Sequence, residues 1–252
     1  YRKLVNLGGA GSGWVGETEA RPKTDSPTLA QVQAFMGEIY ANPAATQQSL
    51  DDIFFDVEGR LMEEVAREFA EQENAAFTSG DGTNKPKGFL AYANSTAADG
   101  TRPFGTVGVV ESGTDADFDG DSLIDLIYAV KPGYRANGVF MLSTPVLAKA
   151  RKLKDSNGQY LWQPGLQAGQ PSQLLGYNVV ENDDMPAPAA DALAIAFGDW
   201  KRFYTIVDRI GTRMLRDPYT NKPFVHFYTT KLVRVMVEKS EAVKLLKLTA
   251  GE

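Results

Sequence analysis

The chain contains no cysteine. That excludes disulfides, thiol nucleophiles and thiolate metal sites, and it fits a reducing compartment without requiring one. Histidine occurs once, at His226, between Val225 and Phe227 in a strand-like run, where it reads as structural. One imidazole and no thiol leave zinc catalysis and a serine–histidine triad without support, and no G-x-S-x-G elbow supplies a nucleophile. No stretch approaches the roughly 20 apolar residues of a membrane-spanning helix. Basic charge is also short: 26 Lys+Arg against 32 Asp+Glu give a net charge of −6, which argues against a nucleic-acid-binding module. Internal repeats, heptads and low-complexity tracts are absent. The first residues, Tyr1-Arg2-Lys3-Leu4-Val5, enter in the middle of an element with neither an initiating Met nor a signal peptide, so a longer precursor is expected.

What is present is ordinary globular composition, 43% hydrophobic and 23% charged, in 252 residues, enough for one large domain or two modest ones. The charge is unevenly spread. From Phe197 onward there are 11 basic and 6 acidic side chains, against 15 and 26 before it. An acidic front and a basic tail can meet inside one subunit or between copies.

The strongest periodic signal runs from Ser49 to Asn74. Leu50, Phe54, Val57, Leu61, Val65 and Phe69 recur at steps of three or four, one stripe of a helix. Ser49 with Asp52 has capping-box spacing, and roughly 25 residues would span about 37 Å. Gly59 is its one weak point, and the run Ser79-Gly80-Asp81-Gly82-Thr83-Asn84-Lys85-Pro86-Lys87-Gly88 ends it. A solitary long helix among strands acts as a spar. Before it, a strand at 2–7 and a returning strand at 28–40 enclose a Gly-rich polar excursion, 8–27, with Trp14 set among Glu17, Glu19, Arg21 and Lys23. A loop of that length without a core pattern is functional or disordered, and this one suits a partner's surface. After the spar the patterns predict a helix capped by Asp121 or Ser122 and running to Val130, a strand at 138–142, a helix from Thr144 or Pro145 to about Leu153, and a turn at Asn157-Gly158. Strands follow at 174–180 and 193–197, then β or loop at 200–208. Strands at 210–216 and 224–237 flank the turn Asp217-Pro218-Tyr219-Thr220-Asn221-Lys222-Pro223, and a last strand covers 243–248. The class is α+β.

Four local patterns imitate chemistry and fall short. Gly8-Gly9-Ala10-Gly11-Ser12-Gly13 follows a strand, but no helix opens behind it to hold a pyrophosphate. The Gly80–Gly88 loop lacks the Gly-Lys-Ser/Thr ending of a phosphate cradle, and helix termination accounts for it better. Asp115, Asp117, Asp119 and Asp121 imitate a calcium loop, yet its twelfth position is Leu126 where a bidentate Glu is needed; a solvated acidic loop leading to a helix cap is the better reading. Paired carboxylates, Glu63-Glu64 and Asp183-Asp184, suit glycosidase work only at a set separation that sequence does not give. No catalytic residue, metal or cofactor is expected.

Several segments together resemble the major capsid proteins of tailed bacteriophages, the Hong Kong 97 fold, and the related shells of gene transfer agents. They are Ser12 to Pro22; the spar and Gly80 to Gly88; Lys152 to Pro164; Leu175 to Val180 with Asp184-Met185-Pro186; Ala196 to Asp199; and Arg216 to Val225. Their order and spacing carry the resemblance nearly end to end. It implies an α+β capsid fold divided as follows: 1–37, N-terminal strand and extended loop; 38–117, peripheral domain with a spine helix at about 49–74, completed by the hairpin 208–232; 118–207, axial domain, completed by 233–252. It also implies a non-enzymatic shell protein that self-assembles into an icosahedral head around double-stranded DNA, in a phage, prophage or gene transfer agent. Its partners would be its own copies in pentamers and hexamers, a portal, and decoration or scaffolding proteins, with assembly in the bacterial cytoplasm and no membrane.

On this reading Trp14, Glu17, Glu19, Arg21 and Lys23 of the extended loop touch a neighbouring subunit. Arg209, Arg213, Arg216, Asp217, Tyr219, Asn221 and Lys222 of the hairpin touch other capsomers. Some members join a loop Lys to an Asn of another subunit, and Lys23 and Asn221 are the nearest by region; Lys23 reads instead as salt-bridging or solvated. The alternatives are an encapsulin-type compartment storing a cargo enzyme and, more remotely, a monomeric enzyme or binding protein.

Overall fold

The computed structural model describes residues 2–8, 11–26, 28–51, 56–154, 158–159 and 173–250. It divides into two units, 1–34 and 35–252. The first is a ribbon: β1 (Arg2–Gly8) pairs antiparallel with β2 (Thr28–Gln33), and these two form a sheet of their own. The intervening loop is drawn together by Gly11 N–H donating to Asp25 O at 3.0 Å. It turns at Gly16–Glu19, where Gly16 N–H donates to Glu19 Oε2 at 3.0 Å.

The second unit begins with β3 (Phe35–Ala41), β4 (Ala44–Thr46), α1 (Gln47–Leu50) and α2 (Val57–Ser79). A 3-10 turn at Phe89–Ala91 is followed by β5 (Asn94–Ser95), β6 (Val107–Asp115), α3 (Gly120–Ala129) and α4 (Pro132–Arg135). Then come β7 (Val139–Leu142), α5 (Thr144–Arg151), β8 (Gln173–Leu174), β9 (Tyr177–Glu181) and β10 (Leu193–Gly198). The chain closes with α6 (Trp200–Phe203), β11 (Tyr204–Asp217), β12 (Phe224–Val237) and β13 (Val243–Thr249).

The expected spar is present but begins later and ends later. Thr46 Oγ1 accepts from Ser49 N–H at 3.2 Å and caps only the four-residue α1. The long helix starts at Val57, capped by Asp56 Oδ1 accepting from Gly59 N–H at 2.8 Å. Gly59 is therefore a cap partner in the first turn, not a mid-helix weakness. Asp52 and Phe54, used in the sequence reading, lie outside the described residues. The helix runs on to Ser79 and stops where Gly88 N–H donates back to Gly80 O at 2.9 Å. That closure requires bare backbone: a Cβ on Gly80 would lie 2.1 Å from Pro86 O, and one on Gly88 would lie 2.5 Å from Ser79 N.

Two sheets share the second unit. One has seven strands in the order β5-β6-β13-β10-β7-β9-β8, and the other joins β11, β12 and β3, with β4 also on β12. In the larger sheet β10 is covered on both faces and reads as an unbroken apolar run, while β13 is apolar apart from Lys244, Lys247 and its final Thr249. One side packs Leu123, Leu126 and Ile127 of α3 and Val146, Leu147 and Ala150 of α5 onto Phe140, Ile195, Phe197 and Leu246. The other side gathers Phe89, Met185, Phe203, Val237, Val243 and Leu245. In the smaller sheet Val225 and Phe227 pack beneath Leu50, Val57, Leu61 and Met62, and Lys231 Nζ pairs with Glu73 Oε1 at 2.6 Å, tying β12 to α2.

Three local expectations are corrected. The helix at 120–129 is capped by Asp119, not by Asp121 or Ser122; Ser122 supplies the reciprocal half of a capping box. The single strand at 174–180 is a hairpin, β8–β9, turning through Leu175 and Gly176 with φ of 51° and 83°. Residues 200–203 form a helical turn, because the Asp199 side chain accepts from Arg202 N–H at 3.2 Å. Asn157 of the expected Asn157-Gly158 turn lies outside the described residues.

Candidate functional site

Exposed surfaces, rather than a pocket, carry the candidate residues. In the ribbon, Trp14 is fully exposed at 105%. An indole left wholly in water forfeits the area that makes tryptophan valuable in a core or an interface. Glu17, Glu19, Arg21 and Lys23 are exposed around the same loop, and Glu19 braces its tip. Leu4 and Leu29 fall on one face of β1–β2, because Leu4 faces Gln31 and Leu29 faces Asn6 across the ladder; both are exposed.

The hairpin β11–β12 presents the second group. Asp217 organises its tip: Oδ1 accepts from Tyr219 N–H at 2.9 Å and Thr220 N–H at 3.2 Å, and Oδ2 accepts from the Thr220 hydroxyl. The Thr220 hydroxyl, then the Tyr219 amide, hold the Asp217 carboxyl below the usual carboxylate range. Tyr219, Asn221 and Lys222 are exposed on the turn so formed. Arg213 and Arg216 stand exposed along β11, on opposite faces, and neither they nor Lys222 have an ion-pair partner among the described residues. The backbone of Arg209 lies in β11; its side chain is outside the described part.

The ladder registers reveal a surface that the sequence reading missed. Leu215 pairs with Tyr228, and Thr230 pairs with Tyr40. Strand alternation therefore puts Leu215, Tyr228, Tyr40 and Met36 on the sheet face opposite Val225 and Phe227, the residues packed beneath α1 and α2. All four are exposed, and the Tyr40 and Tyr228 rings lie 6.5 Å apart. Period-two alternation in 224–237 was the available signal, but which face looks outward depends on where the helices sit.

Asp183, Glu64, Asp117 and Asp119, all weighed for chemistry, hold structural contacts. Asp183 accepts from Thr144 Oγ1 at 2.7 Å and Thr144 N–H at 3.3 Å, which caps α5 from another segment and lowers its own pKa. Glu64 pairs with Arg67 on α2. Asp117 pairs with Lys149 at 2.7 Å, and Asp119 caps α3. His226 lies opposite Asp217 in the ladder; both ring nitrogens are buried and have no hydrogen-bond partner among the described residues. Among the described residues no group of His, Cys, Asp and Glu gathers as a metal site, and no helix is long and apolar enough to cross a membrane.

Comparison with known proteins identifies the family of the chain. The family model described as "Phage capsid family" matches residues 1–248. The chain is similar to the capsid of a native GTA (gene transfer agent) particle, at 42% identity and a TM-score of 0.91 over 99% of this chain and 85% of that chain. The capsid of an empty GTA particle matches at 42% identity and a TM-score of 0.89, with the same coverage. A structure from Gordonia phage Cozz shares the fold at 16% identity and a TM-score of 0.63, covering 99% of this chain and 81% of that one. No curated protein matches the chain. With its sequence matched almost end to end and its α+β architecture superposing on solved capsids, the chain belongs to the phage capsid family and has the Hong Kong 97-type fold.

Proposed function

We propose that this chain is the repeating subunit of a closed icosahedral shell around double-stranded DNA, in a particle of the phage or gene transfer agent kind. The observation that carries the reading is the 42% identity to a GTA capsid over 99% of the chain. The subunit's work is association, and no bond-making step is assigned to it. Each exposed patch contributes a modest contact, and repetition around a closed shell converts modest contacts into a stable container. The ribbon, through Trp14, Glu17, Glu19, Arg21 and Lys23, would lie on a neighbouring copy. The hairpin, through Arg209, Arg213, Arg216, Asp217, Tyr219, Asn221 and Lys222, would meet other capsomers. The four-stranded sheet with α2 would form most of the peripheral part, and the seven-stranded sheet with α3 and α5 most of the axial part. Pentamers and hexamers, a portal and scaffolding or decoration proteins complete the expected set of partners, with assembly in the bacterial cytoplasm. An acidic chain suits enclosure, because it confines DNA without binding it tightly.

Negative-stain microscopy of the expressed chain, with nucleic-acid analysis of purified particles from the native source, tests this. Regular closed particles that protect DNA are expected. A 27.4 kDa monomer under all assembly conditions, or particles holding a cargo enzyme and no DNA, would overturn it.

A further inference from the structure

Beyond the shell role, a cleft opens in the second unit where the end of α2 meets β7 and β9 of the larger sheet and the start of β11 in the smaller one. Its volume is about 370 Å³, within the roughly 300–1,000 Å³ of small-molecule sites. Phe77, Phe89, Met141 and Trp200 give it an aromatic and thioether wall. Val180 and Ile206 line the same cleft and stay 46% and 50% exposed, so branched apolar surface is left in water there.

Most polar groups on the wall are already spent inside the protein. Thr78 Oγ1 donates to Asn74 O at 3.0 Å and accepts from Asn182 Nδ2 at 3.0 Å. Asn182 Nδ2 also donates to Met141 Sδ at 3.6 Å, and Asn182 Oδ1 accepts from Asp184 N–H at 3.1 Å. Trp200 Nε1 donates to Val139 O at 3.0 Å, and the Tyr204 hydroxyl to Lys87 O at 2.7 Å. Burial pushes the Tyr204 hydroxyl well above the ordinary tyrosine range, with Tyr92 adding to it, so the phenol stays neutral. What remains is the Asn74 amide and the Glu181 carboxylate, which holds only a long bond from the Thr144 hydroxyl, 3.4 Å. No Lys, Arg or His lines the cleft among the described residues. Asp183 and Asp184 follow Glu181 and are exposed, so the field at the mouth is negative.

We propose that this cleft binds a small aromatic amine, its ring against the Phe77–Trp200 wall and its ammonium on Glu181. The ring covers the apolar surface left wet at Val180 and Ile206 and finds aromatic partners behind it. The carboxylate supplies one charge-assisted hydrogen bond. An anion would meet Glu181 with no cation on the wall to offset it. The cleft lies within one subunit, so binding there does not depend on assembly.

The test is calorimetric titration of tryptamine into the full chain, with hydrogen exchange read by mass spectrometry in parallel. One saturable site per chain is expected, and tryptamine should slow exchange across 74–78, 180–182 and 200–206. Indole, which lacks the ammonium, should bind roughly threefold or more weakly, and Glu181→Gln should lower tryptamine affinity by a similar factor. Ile206→Arg, a change at a half-exposed position, should abolish binding by placing a bulky cation at the cleft. The exchange arm uses the unaltered chain, so it decides the matter even if a variant does not fold. No saturable site, protection confined to other segments, indole binding as tightly as tryptamine, or undiminished binding in folded Ile206→Arg would each overturn the proposal. If assembled particles bind tryptamine only in the Trp14→Ala variant, the cleft belongs to a neighbouring copy's indole and the assignment to a free amine falls.

Discussion

At the scale of single residues, Asp217 shows how one side chain sets a surface. Its carboxylate collects two amides and the Thr220 hydroxyl, a local turn that positions Tyr219, Asn221 and Lys222. Because its folded pKa lies below the ordinary value, it contributes stability that is fully present above the usual carboxylate range. That contribution is lost as pH falls through the lowered folded pKa. Asp217→Asn keeps the shape and removes the charge, so it is expected to melt below the parent at neutral pH. The two should converge as acidification passes below the usual carboxylate range. Thermal unfolding of both chains across that range checks it, and a gap that persists unchanged in acid would count against the account. This turn was legible in Asp217-Pro218-Tyr219-Thr220, since Asp and Pro each favour a turn there for a stated reason. His226, opposite Asp217, was legible only as structural; that both of its ring nitrogens are buried without a partner among the described residues is information only packing supplies.

At the scale of elements, existence was easier to read than limits. The spar was visible because its apolar stripe is long, but the capping-box spacing at Ser49 marks its start too early. The start is set by which backbone amide each oxygen can reach: Thr46 caps the short α1, and Asp56 meets Gly59 N–H. Asp56→Ala is therefore expected to cost about 1 kcal/mol in urea unfolding of the unassembled chain, and Ser49→Ala less, because Thr46 Oγ1 still caps that turn. A larger loss from Ser49→Ala would place the functional start of the helix earlier. The β8–β9 hairpin was illegible for a different reason. Leu175-Gly176 takes two positive φ values without the Asn or Asp that usually marks such a turn, so a two-stranded hairpin looked like one strand. The α6 turn was hidden by Trp200 and Phe203, which favour strands by propensity, and is fixed by the cap from Asp199.

At the scale of the whole molecule, the uneven charge finds a partial resolution inside the subunit. Lys231 meets Glu73, Lys244 meets Asp99 and Lys247 meets Asp191, each joining the basic tail to the acidic front. Arg213, Arg216 and Lys222 are left over, exposed on the hairpin without an ion pair among the described residues. Cations that contribute nothing within one copy are free to act between copies, where like-for-unlike contacts set register and rate. Reversing one of them should then separate folding from assembly. Arg216→Glu is expected to shift the stability of the unassembled chain by no more than about 0.5 kcal/mol, as an exposed surface change does. Its yield of closed particles by microscopy should fall sharply. Salt gives an independent check, because raising ionic strength from about 0.1 M to 1 M shortens electrostatic reach from about 10 Å to 3 Å. Assembly of the parent chain should weaken over that range, and Arg216→Glu should respond less. Normal particles from Arg216→Glu, with the parent's salt response, would mean that the hairpin's cations are merely solvated and that the shell is held by its apolar faces.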